Sequence, residues 1–398
     1  MKFKNKGRKI YKTKEKNYYG KSASGKFFSG ALTVLLIGGI CFIGYSVAEP
    51  IINYTKKKGD NNIVATDTSE TTSDTSEIAT ATAATINVQE NINIEQYKAF
   101  SLTVNDILDA NRLKTALQKV PSNQEIEYIA VPLKVSGGEI YYASTVNEAQ
   151  MSGAIKSTMT LLEITSEIRT AGYKPTAEIS VLRDNLLPQT YSETGYQTTD
   201  DGSRWIDDSS ENGGKPWISP FSDSAVSYIS SITDEISAAD FDKIICSDFV
   251  FPPFRESDLA LLGDDVNSSE RYLGLTSLAN LMYSRILDNG SSMMLEVSAV
   301  DLLQGNDEII QPMLLDVNTL ILDVDFDEMG NAVSADNTVY EFTGTASENA
   351  SKVIGLVQHK LSDYNIAVRI RGENTTETEL LKAKEVIAEY GYTSFIIG

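Results

Sequence analysis

The sequence holds very few of the residues on which nucleophilic and metal-dependent catalysis usually rest. It has 398 residues but only two cysteines and one histidine. Cys41 lies in an apolar run and Cys246 in a predicted buried strand, so they form neither a disulfide framework nor a set of zinc ligands. Ser-His or Cys-His catalysis would depend on His359 alone, whose helical surroundings are typical of a surface helix. We therefore predict no metal and no cofactor.

Basic residues are also scarce in most of the chain. Residues 1–58 contain 13 Lys and Arg against 2 acidic residues, which leaves 21 basic and 53 acidic residues and a charge of about −32 in the remainder. Such a surface repels phosphate backbones. This excludes a nucleic-acid-binding protein and favours a neutral or cationic ligand.

One long apolar run is present near the N-terminus. Residues 27–52, FFSGALTVLLIGGICFIGYSVAEPII, carry no charge before Glu49 and are long enough to span a bilayer as a helix. The Lys-rich residues 1–26 before them favour an N-terminus inside the cell. The sequence thus predicts a basic cytoplasmic tail, a single transmembrane helix in the cell membrane and an extracytoplasmic C-terminal part. Cleavage after SVA (46–48) is the alternative, because small residues there resemble a signal-peptidase site.

The segment that follows lacks aromatic residues. Residues 59–92 are rich in Thr, Ser, Ala and acidic residues. A composition of this kind cannot bury enough apolar surface to offset the entropy lost on ordering. We predict a disordered linker over residues 53–95.

From about residue 96, short β-rich runs alternate with amphipathic helical stretches. The eight runs are 97–104, 125–135, 174–182, 241–249, 292–299, 318–326, 365–371 and 392–398. Between two of them, Val226, Ile229, Ile232 and Ile236 have helical spacing after a capping Ser222. The alternation predicts an α/β fold, a (β/α)8 TIM-type barrel over residues 96–398. A doubly wound open sheet is the alternative, although no glycine-rich phosphate loop follows the first strand.

In such barrels the functional residues lie at the C-terminal ends of the strands, and here carboxylates dominate those ends. Glycosidic cleavage needs one acid to protonate the leaving oxygen and a second to attack or to activate water. The candidate catalytic residues are Asp184, Asp248, Glu296 and Asp301, and the candidate substrate-binding residues are Lys134, Tyr142, Trp217, Asp325 and Arg371. Acids at strand ends also commonly bind loop amides, and Trp217 is equally suited to anchoring its own long loop.

Four segments resemble, in chain order, the sequence elements of one bacterial family. LKVSGGEIYYAS (133–144) is similar to its Leu-Lys-Asp…Gly…Tyr-x-Ser element, and AEISVLRDN (177–185) to its Ala-Arg-Ile…Phe-x-Asp element. Residues 216–252, from PWISP to DFVFP, give the most specific match, to Trp-x-x-Pro…Gly-Phe-Asp-Glu-Ile…Asp-Tyr-x-Arg-Phe-Pro. VSAVDLLQG (297–305) is similar to Val-Ser-Ala-Asp-x-Phe-Gly. The family groups barrels as glycoside hydrolases without an established function and is related to the α-amylase-type barrels.

The resemblance implies roles for three acids. Asp248 matches the strand-four aspartate, the position that carries the nucleophile in amylase-type barrels, while Asp184 matches the strand-three acid and Asp301 approximately the strand-five acid. The chain departs from the family at Val135, where the family has aspartate, and at Glu178, where it has arginine. The family's arginine before Phe-Pro also has no counterpart.

Two functions follow from these observations. The first is a membrane-anchored, extracytoplasmic glycoside hydrolase that acts on envelope or environmental polysaccharide by a two-carboxylate mechanism. The alternative is a catalytically inactive barrel that binds cell-wall glycan or a protein partner. A working enzyme needs a second acid within about 5–10 Å of Asp248.

The apolar run yields a test of topology. Protease added to intact protoplasts should remove residues 53–398, because the basic excess precedes the span. Immunoblotting measures the loss, and a cytoplasmic protein that stays intact is the control. Digestion that occurs only after lysis would contradict the predicted orientation.

Overall fold

Eight parallel strands close into a barrel in the computed structural model, which describes residues 96–335 and 338–398. The barrel strands are β1 Lys98–Ser101, β2 Tyr128–Lys134, β3 Lys174–Ser180, β4 Lys243–Ser247, β5 Ser292–Ser298, β6 Thr319–Asp325, β9 Asn365–Arg371 and β10 Ser394–Ile397. They pair in this order, and β10 pairs with β1 to complete the circle. Strands β7 Ala332–Ala335 and β8 Thr338–Glu341 form a separate antiparallel pair. The predicted barrel is confirmed, and each of the eight predicted runs contains one of its strands.

Helices connect the strands and cover the outside of the barrel. They are α1 Ala110–Leu117, α2 Asn147–Met151, α3 Leu161–Thr170, α4 Leu186–Thr190, α5 Asp223–Ser237, α6 Glu256–Leu259, α7 Tyr272–Asp288, α8 Ala299–Gln304, α9 Phe326–Met329, α10 Ala346–Val357 and α11 Glu377–Glu389. Helix α5 begins as predicted, since the Ser222 hydroxyl accepts a hydrogen bond from the Ala225 N–H. Its residues Ile229, Ile232 and Ile236 are buried, as the helical spacing requires.

The inside of the barrel changes from apolar to charged along the strands. Side chains alternate between the interior and the helix layer. The interior cluster consists of Tyr97, Ala99, Tyr128, Ala130, Ile245, Met294, Ile321, Ala367 and Ile396. The side chains two residues further along several of these strands also point into the barrel. They are Glu178, Glu296, Asp323 and Arg369. The apolar cluster therefore forms a floor, and a layer of charged side chains lies above it at the C-terminal end.

A buried ion pair holds the connection after β2 against the end of β3. Lys134 Nζ lies 2.9 Å from Asp184 Oδ2, and the two side chains are 2% and 1% exposed. Lys134 Nζ also donates to the Ser180 carbonyl, and the Leu187 N–H donates to Asp184 Oδ1. A buried pair of this kind is costly to break, because removing one partner leaves the other charge uncompensated.

Three N-terminal predictions lie outside the described residues. These are the cytoplasmic tail 1–26, the transmembrane helix 27–52 and the linker 53–95, and they stay predictions. Within residues 96–335 and 338–398, none of the helices has the length and apolar character needed to cross a membrane.

The turn after β2 supplies a test of the fold with a matched control. Gly137 and Gly138 both have positive φ, +96° and +99°, so alanine is strained at either position. A Cβ at Gly138 would lie 2.1 Å from Asp184 Oδ1, whereas a Cβ at Gly137 would have no neighbour within 4 Å. We expect Gly137→Ala to lower the free energy of unfolding by about 1–2 kcal/mol. Gly138→Ala should cost about 3 kcal/mol more, because it displaces Asp184 from Lys134.

Denaturant titration of the two variants measures this difference. Equal losses of stability at the two positions would contradict the account of the buried ion pair.

Candidate active site

A cavity of about 820 Å³ opens at the C-terminal end of the barrel. Six of the predicted site residues line it, namely Lys134, Asp248, Glu296, Asp301, Asp325 and Arg371. Its volume lies in the range of small-molecule sites, about 300–1,000 Å³. The strand-end rule thus brings most of the predicted residues to one place.

One guanidinium group contacts both Asp248 and Asp301. Arg183 Nε lies 3.6 Å from Asp248 Oδ1, and Arg183 Nη2 lies 3.8 Å from Asp301 Oδ2. Because both carboxylates lie within 4 Å of one guanidinium, their nearest oxygens are at most about 10 Å apart, an upper limit compatible with the separations of about 5–9.5 Å that glycosidic cleavage uses. Asp248 and Asp301 are therefore the two predicted acids that the structure pairs.

The backbone directs each member of this pair toward the cavity. Asp248 follows β4 in a left-handed conformation, with φ of 60°, which aspartate tolerates better than most residues. The Ser180 hydroxyl donates to Asp248 Oδ2 over 2.5 Å. Asp301 lies in the first turn of α8, where Asn306 Nδ2 donates to its Oδ1 over 3.0 Å.

The surroundings of Asp301 favour its protonated form. Burial raises the pKa of Asp301, and the negative charge of Asp248 acts in the same direction. The hydrogen bond from Asn306 and the charge of Arg183 oppose this rise. A carboxyl group with a raised pKa beside a second carboxylate is the arrangement that separates a proton donor from a nucleophile or base.

A second group of charges lies deeper, above the apolar floor. Arg369 lies between two glutamates, with Nη2 2.6 Å from Glu178 Oε1 and Nε 2.7 Å from Glu296 Oε2. Next to it, Arg371 forms a two-pronged contact with Asp323, with its Nη2 2.6 Å from Oδ2. Arg371 Nε also lies 3.4 Å from Asp325 Oδ2. These six residues are the charged layer of the barrel interior.

Glu296 differs from its neighbours in this layer. Burial raises the pKa of Glu296 to about 8, although Arg369 opposes the shift. Asp323 and Glu178 raise the pKa further, since their charges are negative. The layer contains four carboxyl groups and two guanidinium groups, so one proton on Glu296 reduces its excess of negative charge.

Three of the nine predicted residues do not line the main cavity, and two of them, Asp184 and Tyr142, are bound elsewhere in the structure. Asp184, a predicted catalytic acid, is bound by Lys134 and by the Leu187 amide under the glycine turn. Tyr142, a predicted substrate-binding residue, is fully buried and donates its hydroxyl to Glu235 Oε2. These partners argue against direct roles for Asp184 and Tyr142. Lys134 lines the cavity wall, but its ammonium group is engaged by Asp184 and Ser180.

Trp217 lies beside the acid pair rather than in the main cavity. Its Nε1–H donates to Asp207 Oδ2 over 2.9 Å, and the Arg183 guanidinium lies 5.6 Å from its ring centroid. This ring contact is a cation–π interaction, which orients Arg183. Trp217 therefore anchors its own loop, which is the second of the two roles expected for it from the sequence.

Besides Asp323 and Arg369 of the charged layer, three residues of the site are not among the candidates from the sequence. They are Arg183, which joins the acid pair, Glu178 of the charged layer, and Glu328, which accepts from the Ser298 hydroxyl over 3.0 Å. Burial raises the pKa of Glu328, and the charges of Asp301 and Asp323 add to the effect. All three lie within three residues of a strand's C-terminal end or on its inward face, so applying the strand-end rule to every charged residue would have found them.

Other catalytic groups are absent from the mouth of the barrel as far as the chain is described. In residues 96–335 and 338–398, no three His, Cys, Asp or Glu side chains are arranged to hold a metal ion. His359 is exposed on the turn Gln358–Leu361 and does not line the cavity. Cys246 is completely buried, and burial raises the pKa of its thiol. Carboxyl and guanidinium groups are prominent among the side chains that line the cavity.

Comparison with known proteins finds one matching family model and similar barrels among solved structures. Residues 99–295 match the family described as "Putative glycosyl hydrolase domain". The PgaB (BpsB) glycoside hydrolase domain from Bordetella bronchiseptica is 14% identical, with 76% of this chain and 94% of that chain covered and a TM-score of 0.52. At this identity the likeness shows the barrel fold alone.

Two further solved structures are more distant in geometry. A hypothetical protein from Ruminiclostridium thermocellum is 19% identical over 49% of this chain and 96% of its own, with a TM-score of 0.41. A GH20 exo-β-N-acetylglucosaminidase from Vibrio harveyi is 9% identical over 76% and 50%, with a TM-score of 0.44. Comparison with curated proteins gave no match.

The raised pKa of Glu296 predicts how stability depends on pH. The folded chain keeps the proton to about pH 8, whereas the unfolded chain loses it near the ordinary value of 4.5. The stabilisation is therefore complete below about pH 4.5 and is lost as the pH rises to about 8. Relative to Glu296→Gln, which has no proton to lose, the wild type should lose up to about 1.4 kcal/mol of stability per pH unit over this window.

Denaturant titration of both proteins at pH 5 and pH 8 measures the effect. A stability difference that does not change with pH would mean that Glu296 is ionised throughout, as a simple partner of Arg369.

Proposed function

We propose, from the match of residues 99–295 to the family described as "Putative glycosyl hydrolase domain", that this chain hydrolyses O-glycosyl bonds of a polysaccharide. The observation that carries the proposal is the contact of Asp248 and Asp301 with the same Arg183 guanidinium. Both acids line one cavity at the C-terminal end of a barrel, the end at which such barrels carry their active sites.

The two acids have different parts in the mechanism. Asp301, whose pKa is raised by burial, donates its proton to the glycosidic oxygen as the bond breaks. Asp248, held by Ser180 and Arg183, supplies the carboxylate that attacks the anomeric carbon or takes a proton from the attacking water. Arg183 keeps both groups in position and offsets part of their negative charge.

The charge of the cavity limits the class of glycan. Ten acidic residues and five basic residues line the main cavity. A wall with this excess of carboxyl groups repels uronic acids and other anionic sugars. The substrate is therefore a neutral or cationic polysaccharide of the cell envelope or the environment.

The N-terminal sequence supports a proposal for the position of the enzyme in the cell. The apolar run 27–52 and the basic residues before it support a single membrane anchor with the barrel outside the cytoplasm. The Thr-, Ser- and Ala-rich residues 53–95 would then separate the barrel from the membrane. An enzyme held in this way acts on glycans within reach of the cell surface.

Replacing Asp248 tests the proposal against Asp184 as a matched control. Asp248→Asn keeps the side-chain shape and removes the charge, so we expect hydrolysis to fall by roughly 10³-fold or more. Its free energy of unfolding should change by about 1 kcal/mol or less. Asp184→Asn should instead cost about 3–5 kcal/mol, because it leaves Lys134 buried without its counter-charge.

The measurement uses the full-length protein with chitosan, a neutral β-glucan and alginate, and follows the release of reducing ends. We expect cleavage of the cationic or the neutral polymer and none of alginate. Retained hydrolysis in Asp248→Asn would refute the assignment. Binding of a glycan without hydrolysis by the wild type would instead support the alternative, an inactive barrel that binds glycan.

A further inference from the structure

A second cavity adjoins the main one at the acid pair. It has a volume of about 460 Å³ and is called the outer cavity below. The two cavities share the residues Ser136, Arg183, Asp301, Asn306 and Glu328. The two cavities therefore adjoin at a shared wall that includes Asp301, so a ligand longer than one cavity that crosses this wall would contact both.

The lining of the outer cavity combines apolar surfaces with hydrogen-bonding groups. Trp217, Phe251 and Pro253 supply the apolar part, and Asn185, Lys215 and Gln304 supply amide and ammonium groups. A sugar ring has an apolar face and a rim of hydroxyl groups, so it suits a wall of this mixed character. The acidic Asp207, Asp301 and Glu328 are nearly balanced here by Arg183 and Lys215.

The positions of Asp248 and Asp301 indicate which cavity would hold the sugar on each side of the cleaved bond. Asp248 lines the main cavity and not the outer one, whereas Asp301 lines both. The proton donor must contact the oxygen between the two sugars, while the nucleophile or base faces the anomeric carbon of the sugar that it attacks. The attacked sugar therefore belongs in the main cavity, and the leaving sugar belongs in the outer cavity.

We propose that the outer cavity is a glycan-binding subsite for the leaving-group side of the chain. The ligand of this site is then an oligosaccharide or polymer that spans Asp301, with sugar units bound on both sides of the cleaved bond. This inference rests on the proposed function, and it adds that sugar units beyond the cleaved bond contribute to affinity.

A chain-length series of ligands tests the subsite without depending on turnover. The probes are chitosan oligosaccharides and cello-oligosaccharides of two to six units, titrated calorimetrically into full-length Asp248→Asn protein. We expect the longest members of one series to bind roughly tenfold more tightly than the disaccharide, which corresponds to about 1.4 kcal/mol.

Filling the outer cavity should remove that gain. Gln304 is exposed at the end of α8 and lines the outer cavity but not the main cavity. Gln304→Trp therefore adds bulk to the outer cavity without disturbing the core. Affinity for long oligosaccharides should fall to that of the disaccharide. Lys215→Trp fills the cavity from another exposed position and should act alike. Gln118→Trp is the control, because Gln118 is exposed and lines neither cavity.

The outcomes separate this inference from the function on which it rests. Affinity that does not increase with length, or an increase that survives both filling variants, overturns the outer subsite while hydrolysis by the wild type still supports the proposed function. Failure of both series to bind counts against the subsite and the proposed function together. A length-dependent gain lost in both filling variants and kept in Gln118→Trp supports the subsite.

Discussion

The mouth of this barrel depends on the buried ion pair between Lys134 and Asp184. Two charges with almost no access to water are stable only when each satisfies the other, so the pair fixes the end of β3 against the turn after β2. Arg183 is the residue next to Asp184, and its carbonyl accepts a hydrogen bond from the Gly137 N–H over 2.6 Å. The backbone on the C-terminal side of Arg183 is thereby held in place. The Arg183 side chain thus extends from a fixed backbone position, and its guanidinium group contacts Asp248 and Asp301.

The chemistry of the site comes from an unequal distribution of charge above an apolar floor. Carboxyl groups outnumber guanidinium groups in the charged layer, where Arg369 and Arg371 face four acids. Burial without a full set of counter-charges raises the pKa of Glu296 and of Asp301, each beside other acids. The barrel therefore holds protonated and ionised carboxyl groups side by side. Such a mixture is what general acid catalysis requires near neutral pH.

The sequence predicts the barrel well because strand and helix periodicities are local and repeat eight times. It also predicts which acids stand near strand ends, and Asp248, Glu296 and Asp301 all line the main cavity. It does not predict the direction of side chains beyond the strand. Asp184 turns inward to Lys134, while its neighbour Arg183 turns toward the mouth, and nothing in the local pattern distinguishes the two. Contacts between distant strands, such as Arg369 with Glu178, depend on barrel closure, and one sequence does not reveal them.

Asp248 and Asp301 act as an electrostatically coupled pair in the proposed mechanism, and carboxyl titration tests this coupling. Full-length protein labelled with 13C at the aspartate carboxyl groups gives the pKa of Asp301 by NMR, with Asp301→Asn identifying the resonance. We expect the pKa of Asp301 to lie above the ordinary aspartate value in the wild type and to be lower in Asp248→Asn, because that variant removes a neighbouring negative charge. An Asp301 pKa that is not raised, or that does not change in Asp248→Asn, would contradict the account.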